Sequence, residues 1–332
     1  MINQANILIT GGLGFVGSHC LVELLNLDKK IICIDNFLNS NPRVFSKVKK
    51  ITSVPFLFKN ISIQSSELNQ LFLENKIDTI FHFAGLKSVS ESVTYPGKYF
   101  YNNVMGSKYL FNIAKKFKVK NLIFSSSATV YGNPVYLPLN EIHTTRATNP
   151  YGKNKIDIEN LLINDKYFQN ECSVKILRYF NPIGAHPSGV IGENPKGIPN
   201  NLMPFILKVA KQEIKKVNVF GGNYNTPDGT GIRDYIHIMD LVDGHIQALD
   251  YKIKGVSVFN LGTGQGCSVL ELIKTFEQVN KVSVPFEIVD RRLGDVAKVY
   301  ADKSKAERLL NFKTKRTIEE MCVDAWNFAN LN

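Results

Sequence analysis

Tyr151 and Lys155 stand four residues apart, directly behind Asn149-Pro150. Asparagine suits a helix N-cap and proline the first helical position, so the spacing predicts both side chains on one face at a helix start. A neighbouring ammonium favours the phenolate, and a cationic ring bound alongside favours it further. The expected product is a tyrosine able to act as a base near neutral pH. The same spacing also describes a plain solvated helix face. A second run, Ser125-Ser126-Ser127-Ala128-Thr129-Val130-Tyr131-Gly132, begins in what reads as a buried strand. Ligand crevices of open α/β sheets lie at the carboxyl ends of such strands. A hydroxyl placed there could bond a substrate oxygen and relay its proton to Tyr151, and Ser127 is the candidate.

The third group of residues lies at the amino end. Gly11, Gly14 and Gly17 form a G-x-x-G-x-x-G turn between an apolar run and an apolar helical pattern. Glycines there let the backbone turn tightly and approach a pyrophosphate, which free N–H groups at the helix start can bind. A second apolar run ends in Asp35, whose carboxylate can accept both hydroxyls of an adenosine ribose and would repel a 2′-phosphate. NAD is therefore expected rather than NADP.

Elements able to position these groups alternate through the first half. Strands are expected at 6–10, 31–35, 55–58, 79–84, 121–125 and 174–179, and helices at 16–26, 99–117 and 151–167. This alternation predicts an α/β fold with a Rossmann-type doubly wound parallel sheet. From 181 to 201 the chain is rich in proline and glycine and reads as a long functional loop. Helices are expected beyond it near 202–212, 240–250, 269–279 and 318–329. The expectation is a nucleotide-binding domain over 1–180 and a smaller α/β substrate domain over 181–332, with some crossing of the chain.

The chain has 332 residues, 44% of them hydrophobic and 21% charged, which excludes a disordered protein. A formal net charge of +11 favours anionic partners, phosphorylated metabolites and nucleic acids alike. The five cysteines contain no CxxC pair and read as small core residues rather than a disulfide framework. No apolar run approaches the length of a membrane span, and residues 1–5 lack the basic start of a signal peptide, so the cytoplasm is expected and membrane partners are not. The six histidines form no metal-ligand spacing, and no metal is expected.

Segments 10–17, 35–36, 82–87, 125–132, 150–155, 177–187, 197–204, 229–240 and 260–264 together carry a resemblance that spans nearly the whole chain. On these residues the sequence resembles the extended short-chain dehydrogenase/reductases, most closely the UDP-glucose (UDP-galactose) 4-epimerase family. The resemblance implies a tightly held NAD and a homodimer joined through helices 99–117 and 151–167. It also implies a reaction that oxidises the sugar C4 transiently and returns the cofactor unchanged. It assigns Phe15, Val16, Asp35, Asn36, Ser40, Asn60 and Ile61 to the cofactor. Phe83, Ala84, Gly85, Lys87, Asn102 and Phe180 follow, with Ser127, Tyr151 and Lys155 shared between cofactor and catalysis. Toward a UDP-sugar it implies Lys87, Ser127, Tyr151, Asn181, Asn201, Leu202, Val219, Phe220, Arg233, Arg292, Asp295 and Val299.

The chemistry of these types agrees. Arg233 and Arg292 can each grip a pyrophosphate bidentately, and Asp295 can accept ribose hydroxyls. For Arg233 the plain alternative is a surface ion pair with Asp234. Three positions depart from the family pattern. Asn60 replaces an Asp, though its carbonyl can accept the same bond from adenine. Leu293 replaces a polar residue. Val299 stands where some relatives carry a Tyr, and its small size leaves room for an N-acetylated sugar. A nucleotide-sugar 4,6-dehydratase would need an acid/base pair after the serine, and here Ala128-Thr129 occupy those places. A 5-epimerase or UDP-glucuronate decarboxylase leaves the 181–204 match unaccounted for. A non-catalytic NAD sensor or nucleic-acid-binding protein is prompted by the charge. Against it, Tyr151 and Lys155 are both kept and no aromatic-and-basic stacking platform is visible.

Overall fold

Short runs of Ile, Val, Leu and Phe form parallel strands because both faces of each can be covered. The computed structural model describes residues 6–196, 199, 201–292 and 294–332; the reading placed on Leu293 lies outside them, as do those placed on residues 1–5 and Gly197. The strands are β1 (Asn6–Thr10), β2 (Ile31–Ile34), β3 (Leu57–Lys59), β4 (Ile77–His82), β5 (Asn121–Ser127) and β6 (Ser173–Tyr179). Every residue of β2 and β6 is buried. A further strand, β7 (Gly255–Leu261), was not expected from the sequence. It pairs in parallel with β6 from Gly255↔Ser173 to Leu261↔Tyr179 and completes a seven-stranded sheet. It opens on a glycine and carries Ser257 and Asn260, so locally its signal is weak; its partner β6 supplies the rest.

The sheet order is β7-β6-β5-β4-β1-β2-β3. β1 thus lies between β2 and β4, and the connections leave it in opposite directions, opening a crevice at the carboxyl ends of the strands. Helices α1 (Phe15–Asn26), α2 (Gly106–Lys116) and α3 (Pro150–Ile163) flank the sheet. The expected 99–117 helix is not one regular helix. Phe100–Met105 is π-helical and runs into α2, and from it Asn103 Oδ1 accepts from Leu86 N at 2.8 Å while its Nδ2 donates to Leu86 O at 3.0 Å. The wider turn holds the loop after β4. The expected 151–167 helix stops at Ile163, and Asp165 caps a new short helix by accepting from Tyr167 N at 2.9 Å.

Chain from beyond residue 180 takes part in the core of the first half. Helix α5 (Ile238–Asp250) packs Ile238, Leu241 and Ala248 into one core with Ile9, Leu21 and Leu25, and Phe259 of β7 joins it fully buried. Burial of such a phenylalanine stabilises by about 1.5–3 kcal/mol. The remaining second half has its own core around Ile206 of α4 (Leu202–Ala210), Leu272 and Phe276 of α6 (Val269–Asn280), and Cys322 of α7 (Ile318–Leu331). Short strand pairs, Asn181–Ile183 with Tyr235–His237 and Val217–Phe220 with Phe286–Val289, carry chain from this layer over the crevice. The cysteines are all free; Cys20, Cys33, Cys172 and Cys322 are buried and Cys267 partly so.

Candidate active site

The three glycines of the turn serve different ends. Gly11 adopts φ +66°, and a Cβ on it would lie 2.7 Å from Ala84 N. A Cβ on Gly17 would lie 2.3 Å from Gly11 O, so helix α1 can approach β1 only without one. At Gly14 a Cβ would meet only Gly11 O, at 3.3 Å; this glycine leaves space on its cleft side. Gly14 is also the N-cap of α1, no side chain caps the helix, and its first turn holds no acid. That is an anion cradle by construction. Asp35 follows β2, buried, with Oδ2 accepting from Leu13 N at 3.0 Å and Oδ1 from Phe37 N at 2.9 Å and Ser40 Oγ at 2.6 Å. The turn and the loop after β2 are thereby locked to one carboxylate. Where β1 and β4 end, Thr10 Oγ1 shares a hydrogen bond with His82 Nδ1 at 2.7 Å, and His82 Nε2 one with Ser107 Oγ at 2.9 Å. Burial holds this ring neutral, pulling its pKa down to about 3.

Helix α3 begins as its sequence dictates. Asn149 Oδ1 accepts from Gly152 N at 2.8 Å, Pro150 occupies the first turn, and Tyr151 N donates to Ser92 Oγ at 3.2 Å. Ser127 closes β5; its hydroxyl accepts from Thr129 Oγ1 at 3.0 Å and acts on the neighbouring Tyr151 phenol, favouring its ionised form. Lys155 is buried one turn on, its Nζ 5.7 Å from the Tyr151 ring centroid and donating to Ser125 O at 2.6 Å. The electrostatics depart from the expected pattern. Burial pushes the Tyr151 hydroxyl up to about 12, with Ser127 the group pulling it back, and pulls Lys155 down to about 8 against the opposing charge of Glu159. The ammonium sits beside the ring and spends a proton on a backbone carbonyl, so by itself it does not make Tyr151 a base. A cation brought into the cleft would favour the phenolate.

Across the cleft Arg233 Nη1 donates to Ile232 O and Val296 O, both at 2.9 Å, and Nη2 lies 3.8 Å from Asp295 Oδ1. The anticipated alternative, a pair with Asp234, does not form. Asp234 is fully buried and accepts instead from Thr263 N and Oγ1, Gly264 N and Ala301 N. The Arg292 guanidinium stacks 3.7 Å over the Phe220 ring. Val299 pairs in register with Arg233 and lines the cleft, whereas Tyr300 does not.

One cleft of about 1430 Å³ runs through all of this, lined by every residue expected from the sequence except Asn60. Asn60 is exposed just past β3, and Ile61, Ser62 and Ile63 form the wall there. Two lining residues carried no sequence signal beyond lying in a proline-rich loop. Glu193 accepts from both Lys87 Nζ and Asn201 Nδ2. Asn194 follows it in the lining, and Lys196 beyond donates to Phe37 O at 2.6 Å, tying the loop to the chain after β2. No group of three or more His, Cys, Asp or Glu suited to a metal ion occurs among the described residues. Nor is any helix there long and apolar enough to cross a membrane.

With this geometry in view, the chain can be set beside known proteins. Residues 8–325 match the family described as GDP-mannose 4,6 dehydratase. The chain is 48% identical to UDP-glucose 4-epimerase of Bacillus subtilis (strain 168), over 98% of this chain and 97% of that one. The solved UDP-glucose 4-epimerase from Bifidobacterium longum, in complex with NAD+ and UDP, superposes with a TM-score of 0.95 at 46% identity, covering 99% of both chains. UDP-Glc/GlcNAc 4-epimerase from Campylobacter jejuni superposes with a TM-score of 0.85 at 33% identity, over 99% of this chain and 100% of that one.

Proposed function

The chain belongs to the UDP-glucose 4-epimerase family, and from that premise we propose that it interconverts UDP-glucose and UDP-galactose with NAD held in the cleft. The observation that carries the reading is the meeting of Ser127, Tyr151 and Lys155 between an uncapped helix start and a pair of arginines. The residues present fit the cofactor. Gly14 leaves the α1 N-terminus open to a diphosphate, and Asp35, with one bond on Oδ2, retains lone pairs for ribose hydroxyls. When bound, NAD+ supplies the group that takes the sugar C4 hydride and returns it to the opposite face.

The chain's own residues do the rest. Tyr151, once its phenolate is favoured by a positive ring, takes the 4-OH proton and later restores it. Ser127, beside the Tyr151 phenol at the end of β5, is placed to relay it. Lys155 holds its charge beside the ring from a fixed anchor on Ser125 O. Arg233 and Arg292 grip the diphosphate, so binding energy is realised away from the reacting carbon and the sugar is free to turn. Ala128 and Thr129 leave the dehydratase acid/base places without an ionisable group, although the matching family description names a dehydratase.

Three finer points belong to the same reading. Val299 lining the cleft, with Tyr300 outside it, supports acceptance of UDP-GlcNAc and UDP-GalNAc. Exposed Phe100, Tyr101 and Met105 beside α3 support a homodimer, which the solution mass tests. Free cysteines, most of them buried, support a reducing compartment, the cytoplasm. The deciding experiment is a proton NMR time course of the purified protein on UDP-galactose and, separately, on UDP-GalNAc. Conversion of both to their gluco partners is expected. Conversion of UDP-galactose alone removes the Val299 argument, and no conversion even with NAD supplied overturns the epimerase.

A further inference from the structure

Glu193 has no part in the proton transfers above, yet it stands where both halves of the cleft meet. Its Oε1 accepts from Lys87 Nζ at 2.6 Å, from the loop after β4, and from Asn201 Nδ2 at 2.7 Å, at the N-cap of α4. One oxygen therefore takes two donors. The other, Oε2, is buried and has no hydrogen-bond partner among the described residues. A carboxylate arranged this way serves stability poorly. Its Lys87 partner is 42% exposed while Glu193 is 7% exposed, so the ion pair gains little and the bare oxygen costs. What the arrangement does achieve is geometric. Two cleft-lining side chains from distant parts of the chain are fixed to one atom.

We infer that Glu193 is a positioning residue that presets Lys87 and Asn201 for the nucleotide sugar, an inference that rests on the proposed function. Lys87 is mobile by nature, with a long stem and a single charge, and Asn201 follows a loop rich in glycine and proline. Held by Glu193, both donors are ordered before ligand arrives, and the entropy of ordering them is not charged to binding. Because they share one acceptor, movement of either alters the other. Lys87 and Asn201 are thus energetically coupled through Glu193.

A double-mutant cycle reads this coupling directly. UDP-glucose affinity is measured by calorimetry in a Tyr151→Phe background, where turnover does not intrude, for Lys87→Ala, Asn201→Ala and both together. With Glu193 present, the two losses are expected to be non-additive by at least about threefold in Kd. In Glu193→Ala the affinity is expected to fall about tenfold and the two effects to become additive. Glu193→Met, which keeps the bulk and removes both acceptors, serves if the alanine variant does not fold. Glu193→Gln keeps one carbonyl oxygen for the two donors and is expected to retain the coupling. The inference is overturned if the effects are additive with Glu193 present. It is equally overturned if Glu193→Ala only lowers the melting temperature and leaves the coupling intact, or if Glu193→Gln loses the coupling as fully as alanine. Absence of any UDP-glucose binding with Glu193 in place would instead overturn the function on which it rests.

Discussion

Two helices begin at the floor of the same cleft, and their first turns are finished in opposite ways. Helix α1 starts at Gly14 with no side-chain cap and no acid in its first turn. Helix α3 starts behind Asn149, which bonds Gly152 N, with a proline in the first turn and Ser92 meeting Tyr151 N. The donors of α1 are left for an anion; those of α3 are spent inside the protein. A helix end that is to bind a diphosphate must stay unsatisfied until the ligand arrives, while one that aims a catalytic side chain gains from being closed.

That contrast can be broken at several points. The largest effect is expected from Tyr151→Phe, which removes the proton acceptor but leaves the start of α3 intact. Turnover of UDP-galactose should fall about a thousandfold while the purified protein keeps its NAD, as kinetics and cofactor absorbance together would reveal. Next comes Gly14→Asp. The φ of −74° suits any residue, and the new carboxylate would cap α1 and repel a diphosphate. NAD content should drop at least about tenfold with no loss of melting temperature in the cofactor-free protein; retained NAD would mean the open helix end is not the anion site.

Uncapping the other helix is a smaller perturbation. Asn149→Ala should cost about 1 kcal/mol in denaturant unfolding, with a few-fold loss of turnover as Tyr151 becomes less well aimed. The smallest effect is one of pH. Burial holds Lys155 down at about 8, so turnover should be halved near pH 8 relative to neutrality as the ammonium deprotonates. Stability should move the other way. The folded pKa is below the unfolded value, so between about 8 and 10.5 the unfolded chain holds more protons and this group's contribution rises with pH. Melting curves of Lys155→Met against pH would lack that increment.

Most of what makes this protein a nucleotide-sugar enzyme was legible along the chain. The G-x-x-G-x-x-G turn, the Asn149-Pro150 helix start, the Tyr151–Lys155 spacing and the apolar strands are local features. Each is dictated by dihedral preference, capping or side-chain period within a few residues. Among the six strands expected in the first half, β1 has the expected ends, four needed one or both ends moved by a residue or two, and β4 was displaced by two. What tertiary structure alone decided depends on neighbours far away in sequence. Strand β7 exists because β6 gives it a partner. Arg233 turns to Asp295 because Asp234 is consumed by Thr263, Gly264 and Ala301, and Asn60 is left exposed beside the wall that Ile61, Ser62 and Ile63 form. Glu193 joins Lys87 to Asn201 only once a proline-rich loop has crossed the cleft. The basicity of Tyr151 belongs with these. Residue types supply the phenol and the ammonium, but desolvation and the direction of one Lys155 hydrogen bond set which proton moves, and both are properties of packing.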